Sequence, residues 1–423
     1  MILSDIATQP TDDLTTADGV ALKVSLRRAQ RRNKMKALLL VAPLFAFLMA
    51  AFVLPIFDML ARSVDNSVVM TYMPRTVEAL GPWDGKDLPD ETVFSATVQD
   101  LAAGREARTI GKVASRLNYE IGGMRSLIMK SARKAAKMGD GPYKEALIKV
   151  DKRWADAKVW KLLQRESDPY TLSYYLSAMD MEYSEDGAMQ AKPANMQIYV
   201  DLFVRTLWMS GLITFLCLLL GYPIAHLLAN LPMRQANLLM IMVLLPFWIS
   251  MLVRTTTWIA ILQSQGILND VFVWLGLVDD ANRMQLIYNK TGTIIAMTHI
   301  LLPFMILPLY SVMKTIPPSY MRAARSMGAT AFTAFRRVYF PQTLAGIGAG
   351  SILVFILSIG YYITPALVGG QSGRFITNFI AYHMQQSLNW GLAAAIGSLL
   401  LAAVVALYLL YNRIVGVDNV KLG

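Results

Sequence analysis

Charge is the property this sequence has least of for its size. Lys, Arg, Asp and Glu make up 16% of its 423 residues, whereas a soluble domain carries about a quarter. Cysteine is scarcer still. The single residue, Cys217, lies among leucines, so no disulfide can form within the chain and the thiol reads as a small core hydrophobe. The three histidines, His226, His299 and His383, are scattered without the spacing of a metal site. His299 reads as a hydrogen-bonded packing residue, with a proton relay as the alternative. No Gly-x-x-x-x-Gly-Lys-Ser/Thr phosphate loop is present, nor a nucleophile elbow or a Cys/His arrangement. These absences argue against a disulfide scaffold, a metal site and nucleotide hydrolysis by this chain.

Apolar residues take the place of charge: they form 55% of the chain, and the mean hydropathy is positive. A membrane span needs about 20 mostly apolar residues. Six runs qualify, roughly Ala37–Leu60, Leu202–Leu228, Leu238–Leu262, Thr293–Met313, Leu344–Leu367 and Leu392–Tyr411. Pro43, Pro55, Pro223, Pro246, Pro303 and Pro308 lie in or near them. Proline is tolerated where neighbouring helices satisfy the freed backbone groups, so a kinked bundle is expected. The first run is longer than a signal-peptide core and reads as a retained span. The polar stretch Met1–Val20 reads as disordered.

Orientation follows from Lys and Arg in the flanks. Lys23, Arg27, Arg28, Arg31, Arg32, Lys34 and Lys36 precede the first span. Arg234 follows the second. Lys314, Arg322, Arg325, Arg336 and Arg337 follow the fourth, and Arg413 and Lys421 the last. The opposite short loops carry only Arg283, Lys290 and Arg374. Both termini are therefore expected in the cytoplasm. The net charge of +11 reads largely as this positive-inside bias. The basic cluster before the first span suits anionic lipid head groups, and no nucleic-acid partner is expected.

Residues Arg62–Val200 form a long polar insert on the external side. Its middle is rich in Ala, Lys, Arg and Leu, with charges mixed in sign, as on exposed helix faces. Gly139, Asp140, Gly141 and Pro142 break it. At least two helices are expected, roughly Arg105–Met138 and Tyr143–Arg165. The insert is either a solvated cap on the bundle or a docking surface for an extracytoplasmic binding protein.

The most specific signal is Tyr320–Pro341, YMRAARSMGATAFTAFRRVYFP. It shows two short helical patterns, Ser319–Met327 and Ala331–Tyr339, broken at Gly328. Ala323, Ala324, Gly328, Val338, Phe340 and Pro341 are spaced as in the EAA loop of binding-protein-dependent ABC importer permeases, which the chain resembles. Arg322 stands where that family usually has Glu. The resemblance covers roughly Asp201–Arg413 and narrows to the spermidine/putrescine-type branch. It does so through Leu252-Val253-Arg254-Thr255 with Trp258, through Gly266-Ile267-Leu268-Asn269, and through the fourth span from Leu301 to Tyr310. It does not extend to the insert. In the fifth span Gly360-Tyr361-Tyr362 and then Pro365 replace the usual Gly-Glu-Phe before a proline, so a carboxylate suited to a cation is missing.

The apolar runs together with the resemblance point to an all-α membrane protein of six transmembrane helices, and the residues between spans 1 and 2 to a large, mainly helical periplasmic insert. The resemblance implies a location in the bacterial inner membrane. The chain divides into a cytoplasmic tail (1–36), a first span (37–60), the periplasmic insert (61–200), a permease core (201–415) with coupling loop 314–343, and a cytoplasmic C-terminal tail (416–423). The chain would bind no cofactor. Two separate ATP-binding cassette ATPase subunits would use ATP and Mg and receive the coupling loops. A second permease subunit, related chain or second copy, would complete the pair. A periplasmic solute-binding protein would deliver a small polyamine-, opine- or amino-acid-derivative-like solute.

The coupling residues implied are Arg322, Ala323, Ala324, Gly328, Arg336, Arg337 and Pro341. Gly328 would permit a tight turn and close approach, and Pro341 would stop the second short helix. The arginines also read as lipid-surface anchors. Arg254, Trp258, Tyr361, Tyr362 and Thr364 are the candidate translocation-path residues, since polar groups within a membrane are functional candidates. Arg254 either snorkels outward or lines the path, and Asp58 could pair with Arg62 one turn on. Aromatic faces suit a cationic or sugar-like solute, against the alternative of interhelical packing. Trp248 and Trp258 sit as interfacial anchors do. A transporter or channel that works without ATP and a membrane-anchored scaffold are the alternative functions.

Overall fold

The computed structural model describes residues 22–139, 141–184 and 187–415. The expectations for Met1–Val20, for Asp140 within its break and for the tail 416–423 lie outside them. The chain forms two compact units, Met1–Ala61 and Arg62–Gly423. Helix dominates both. The one sheet among the described residues is an antiparallel pairing of Met181–Tyr183 with Met189–Ala191.

In the first unit a helix over Leu22–Leu48 runs through a wider π-type turn, Met49–Val53, into the helix Leu54–Arg62. Residues Ala29–Arg62 are long and apolar enough to cross a membrane, and none of them is buried in the structure. The π turn has a local cause. Pro55 has no N–H and its ring presses on the preceding turn. Just upstream, the Leu54 N–H bonds five residues back to Met49 O, which loosens the helix where the proline needs room.

Within the second unit, the insert folds around a core of its own. Phe94, Leu101, Leu117, Leu127, Ile128, Leu147, Trp154 and Trp160 are fully buried, each worth about 1.5–3 kcal/mol on burial. The Trp160 ring lies 4.6 Å from Phe94 and 5.1 Å from Trp154. A buried ionic network threads this core. The Arg116 guanidinium donates to Glu166 at 2.5 Å, to Glu120 at 2.7 Å and to the Asn66 side-chain Oδ1 at 2.7 Å, while Arg165 reaches both carboxylates. Burial pushes the Glu166 carboxyl upward and Arg116 pulls it back.

The expected pair of long helices is not what forms. Arg105–Met138 divides into the end of Glu91–Glu106, then Ile110–Glu120 and Met124–Ala135. The chain turns at Arg108 (φ 59) and Gly123 (φ 91). Asn118 accepts from the Gly123 and Arg125 N–H groups at 3.0 and 3.2 Å, capping the new helix. Tyr143–Arg165 likewise breaks into Tyr143–Val150 and Ala157–Arg165 around Asp151 and Trp154. The shorter pieces let apolar faces converge on one centre, which two long helices could not do.

The membrane core is built on three close helices. The second span, Tyr199–Asn230, packs along the fourth, Lys290–Thr315, which packs along the fifth. Small residues permit the approach: a Cβ on Gly350 would sit 2.8 Å from Met305 Sδ. Cys217 is buried there, its thiol 3.4 Å from Thr298 O. The sixth span is Trp390–Arg413. The third is not the single helix expected over Leu238–Leu262. Met233–Trp248 and Met251–Trp274 meet at 98°, across extended residues Ile249 and Ser250. Among the described residues five helices therefore qualify as spans, and six if the bent pair is one.

The insert is locked to the start of the second span. The buried Asp180 carboxylate accepts from the N–H groups of Ile198, Tyr199 and Val200 at 2.8–3.0 Å, placing negative charge on the helix N-terminus. Tyr119 OH donates to Ser387 O at 2.8 Å, and Tyr174 packs where any side chain on Gly391 would stand. At its other end the second span meets segment 314–343: Lys314 Nζ bonds Ala229 O at 3.3 Å, and His226 lies edge-on to Tyr339 at 5.0 Å. Insert and loop thus occupy opposite ends of a 32-residue helix, about 48 Å apart along its axis.

Candidate functional site

Two places bring the candidate residues together. The first is the loop. The helix Pro318–Ser326 ends in a double closure, Ala329 N–H to Ala324 O at 3.1 Å and Gly328 N–H to Arg325 O at 3.0 Å. This is the Schellman arrangement, which places the intervening residue in the left-handed region. Gly328 holds φ 91, and a Cβ there would touch nothing within 4 Å. The glycine is needed for the turn, not for space within this chain. Thr330 then accepts from Thr333 N–H at 3.2 Å and opens the next helical turn, Ala331–Ala334.

The loop has two faces. Ala324, Ala334 and Tyr339 are buried, and Met321 and Phe335 pack on the core with Tyr222. Arg322, Ala323, Arg325, Arg336, Arg337 and Pro341 are exposed. So are three large apolar side chains that sequence reading passed over: Tyr320, Met327 at 83% and Phe332 at 71%. The outer face is therefore an apolar tip among arginines, a form suited to a partner rather than to water. Its sequence signal is the large apolar residue on either side of Gly328.

Pro341 does not stop the second short helix. A π-type turn over Phe335–Tyr339 carries Ala331–Ala334 directly into Phe340–Gly360, with Phe340 N–H bonding Phe335 O. The proline falls in the first turn of Phe340–Gly360, where its missing N–H costs little, and the π turn upstream relieves its ring as at Pro55. The result is one 30-residue helix, Ala331–Gly360, rising from the loop through the fifth span.

The second place lies where that helix breaks. The chain leaves helical geometry at Tyr361 and Tyr362 and resumes in Ile363–Val368. Thr377 and Asn378 side chains donate to the carbonyls of Tyr361 and Tyr362 at 2.8 and 2.6 Å. Buried Thr364 lies 3.3 Å from Thr255 on the third span. Trp258 Nε1 donates to His299 Nδ1 at 3.2 Å across to the fourth span. Arg254 directly precedes Thr255 on the helix Met251–Leu262. The third, fourth and fifth spans thus bring Arg254, Trp258, Tyr361 and Thr364 together with His299. Tyr362 is exposed beside them.

Arg254 has a task that neither snorkelling nor path-lining described. Its guanidinium donates to Pro246 O and, at 3.0 Å, to Ile249 O, carbonyls at the end of Met233–Trp248 where the third span breaks. A cation at a helix C-terminus satisfies those groups and the dipole together. Buried Asn269 acts similarly in the next loop, bonding Gln263 O, Met284 O and Met284 N–H at 3.0–3.1 Å. Trp248 is 75% exposed, while Trp258 is half-buried against His299. From Leu202 to Asn269 and from Ala281 to Val417 there is no Asp or Glu, so the core spans offer a solute aromatic rings and hydroxyls but no carboxylate.

Comparison with known proteins now decides the family. The spermidine/putrescine transport system permease protein PotB of Escherichia coli is 35% identical over 213 residues, 50% of this chain and 76% of that protein. The Haemophilus influenzae protein of the same name is 34% identical over 55% of this chain and 84% of its own length. Residues 218–416 match the family described as binding-protein-dependent transport system inner membrane component. The chain belongs to that family. It is a multi-pass inner-membrane permease of the ABC importer class and of the polyamine-type branch. A solved ABC transporter involved in import of the acidic polysaccharide alginate aligns with a TM-score of 0.44 at 20% identity, over 53% of this chain and 80% of that one. The insert lies outside the family match.

Proposed function

We propose that this permease is one membrane subunit of an ATP-driven importer that moves a small solute inward by alternating access. Loop 314–343 docks in a cleft of a separate ATPase subunit, and ATP with Mg is consumed there. A second permease subunit and a solute-binding protein complete the machine. The charge bias of the flanks supports a cytoplasmic position for the loop and both termini and a periplasmic one for the insert. The observation that carries this reading is the loop's outer face: Tyr320, Met327 and Phe332 exposed among arginines, at the foot of the 30-residue helix Ala331–Gly360. That helix ends at the Tyr361–Tyr362 break, beside Arg254, Trp258 and Thr364. Displacing its foot would move the candidate path at its top, about 45 Å away. Arg322, reversed in charge from the usual Glu, calls for an acid on the ATPase. The acid-free spans favour a solute held by aromatic and hydroxyl groups over one neutralised by carboxylates of this chain.

The test is Met327→Asp with Phe332→Asp in the assembled transporter. Each side chain buried on docking contributes about 1.5–3 kcal/mol. The variant should insert normally while ATPase copurification and solute uptake fall together by at least about tenfold. Undiminished copurification of the ATPase would contradict the docking reading.

A further inference from the structure

Within the insert, positive and negative charges are segregated along the sequence. Residues 105–165 carry sixteen Lys and Arg against six Asp and Glu, a net +10. Residues 62–104 and 166–200 carry four Lys and Arg against thirteen Asp and Glu, so the insert as a whole nets only +1 and the net charge of the chain is largely the flank effect expected; the middle of the insert, expected to be mixed in sign, is predominantly basic. Long loops cross regardless of charge, so orientation does not account for the excess.

The fold gathers part of this charge at one end. Helices Ile110–Glu120 and Met124–Ala135 lie side by side, joined by three residues. Their joined end abuts the membrane core, where Tyr119 bonds Ser387 O. Their free end carries Arg105 and Arg108 before one helix, and Arg133, Lys134 and Lys137 at the end of the other, all exposed. The second helix has 12 residues, so these cations stand about 18 Å from the junction. Lys130, Arg133, Lys134 and Lys137 fall at i, i+3, i+4 and i+7, one face of the helix. Lys130 is paired with Asp151 at 3.2 Å. Among the described residues the other five make no ion pair. Structural needs do not explain them: the buried network already uses Arg116 and Arg165 with Glu120 and Glu166.

We propose that this free end is an electrostatic capture surface for the acidic face of a soluble protein, the solute-binding protein of the transporter. The inference rests on the importer reading above and adds the surface and its chemistry. A lipid head-group surface is the weaker match, because the cations lie at the end of the helix pair remote from the membrane core. Complementary charge acts chiefly on the association rate. It is screened as the Debye length falls from about 10 Å at 0.1 M salt to about 3 Å at 1 M.

The experiment uses the complete transporter in phosphatidylcholine nanodiscs and the binding protein that stimulates its ATP hydrolysis. Association rates are compared for the wild type and for Arg133→Glu/Lys134→Glu/Lys137→Glu, across salt. A triple Gln variant serves as a second, charge-removing probe. All three positions are exposed, and unstimulated ATP hydrolysis reports assembly. The expected result is an association rate lowered about tenfold or more at 0.05 M salt by the Glu variant and less by the Gln variant, with the three rates converging at 1 M salt. Equal rates and equal salt slopes in all three overturn the proposal. So does a Glu variant that binds the protein normally but loses affinity for phosphatidylglycerol membranes. A wild-type complex that neither hydrolyses ATP nor responds to any binding protein overturns the importer reading, and this inference with it.

Discussion

The loop geometry makes a sharp prediction at Gly328. Its φ of 91 is open to glycine, and a Cβ there meets nothing within 4 Å. Gly328→Ala therefore brings backbone strain without a clash inside this chain. An L-residue in the left-handed region costs roughly 1–2 kcal/mol, which lowers the population of the formed turn about 5- to 30-fold relative to alternatives. Asparagine tolerates that region better, although its side chain is larger. If the turn conformation is what the ATPase reads, coupling should rank Gly above Asn above Ala. If clearance in the ATPase cleft is what matters, Ala should exceed Asn. Gly328→Asp adds an anion beside Arg325 and should abolish uptake if close seating is required. The assay is solute-stimulated ATP hydrolysis in nanodiscs at fixed permease content, with ATPase copurification alongside. An alanine variant equal to wild type would refute the conformational argument, and uptake by Gly328→Asp at the wild-type level would refute docking itself.

Two further outcomes follow from the insert. A Cβ on Gly391 would stand 2.4 Å from the Tyr174 ring, so Gly391→Ala should force the ring aside and lower thermal stability by about 1–3 kcal/mol, with Tyr174→Leu in the same chain restoring part of the loss. Asp151 is held well below the usual carboxylate range by its hydrogen bonds to Arg153, with Lys130 adding to them. A lowered acid contributes stability above its unfolded value of about 3.9 and loses it as pH falls through the folded value. The wild-type insert should therefore lose stability below about pH 4 more steeply than Asp151→Asn, and parallel acid-unfolding curves would contradict the pairing.

How much of this was legible depended on what each pattern encodes. Apolar runs report membrane burial directly, so five spans could be placed from sequence. The bend in the third span could not. Pro246 marks a weak point, but at the 98° bend the Arg254 guanidinium also bonds carbonyls eight and five residues behind it, a side-chain contact that hydropathy does not report. The reading of Pro341 as a stop failed for a related reason, because a π turn lets the helix pass. The EAA-like spacing located the loop, since Gly and Ala positions there are set by local turn geometry. Met327 and Phe332 were missed because an apolar residue in a short helix ordinarily faces inward. In the insert, helical periodicity was visible while Trp154, Trp160 and Phe94 went unremarked, so a packed domain was read as two solvated helices.

The central claim is that loop 314–343 meets the ATPase while the insert faces the opposite compartment. It is tested most directly by placing a photo-crosslinking amino acid at Phe332 in one variant and at Tyr170, 75% exposed in the insert, in another, and irradiating intact cells. The account predicts an adduct with the ATPase subunit from position 332, weakened when nucleotide changes the ATPase's state, and none from position 170. An ATPase adduct from position 170, or its absence at 332 in a transporter that is actively taking up solute, would contradict it.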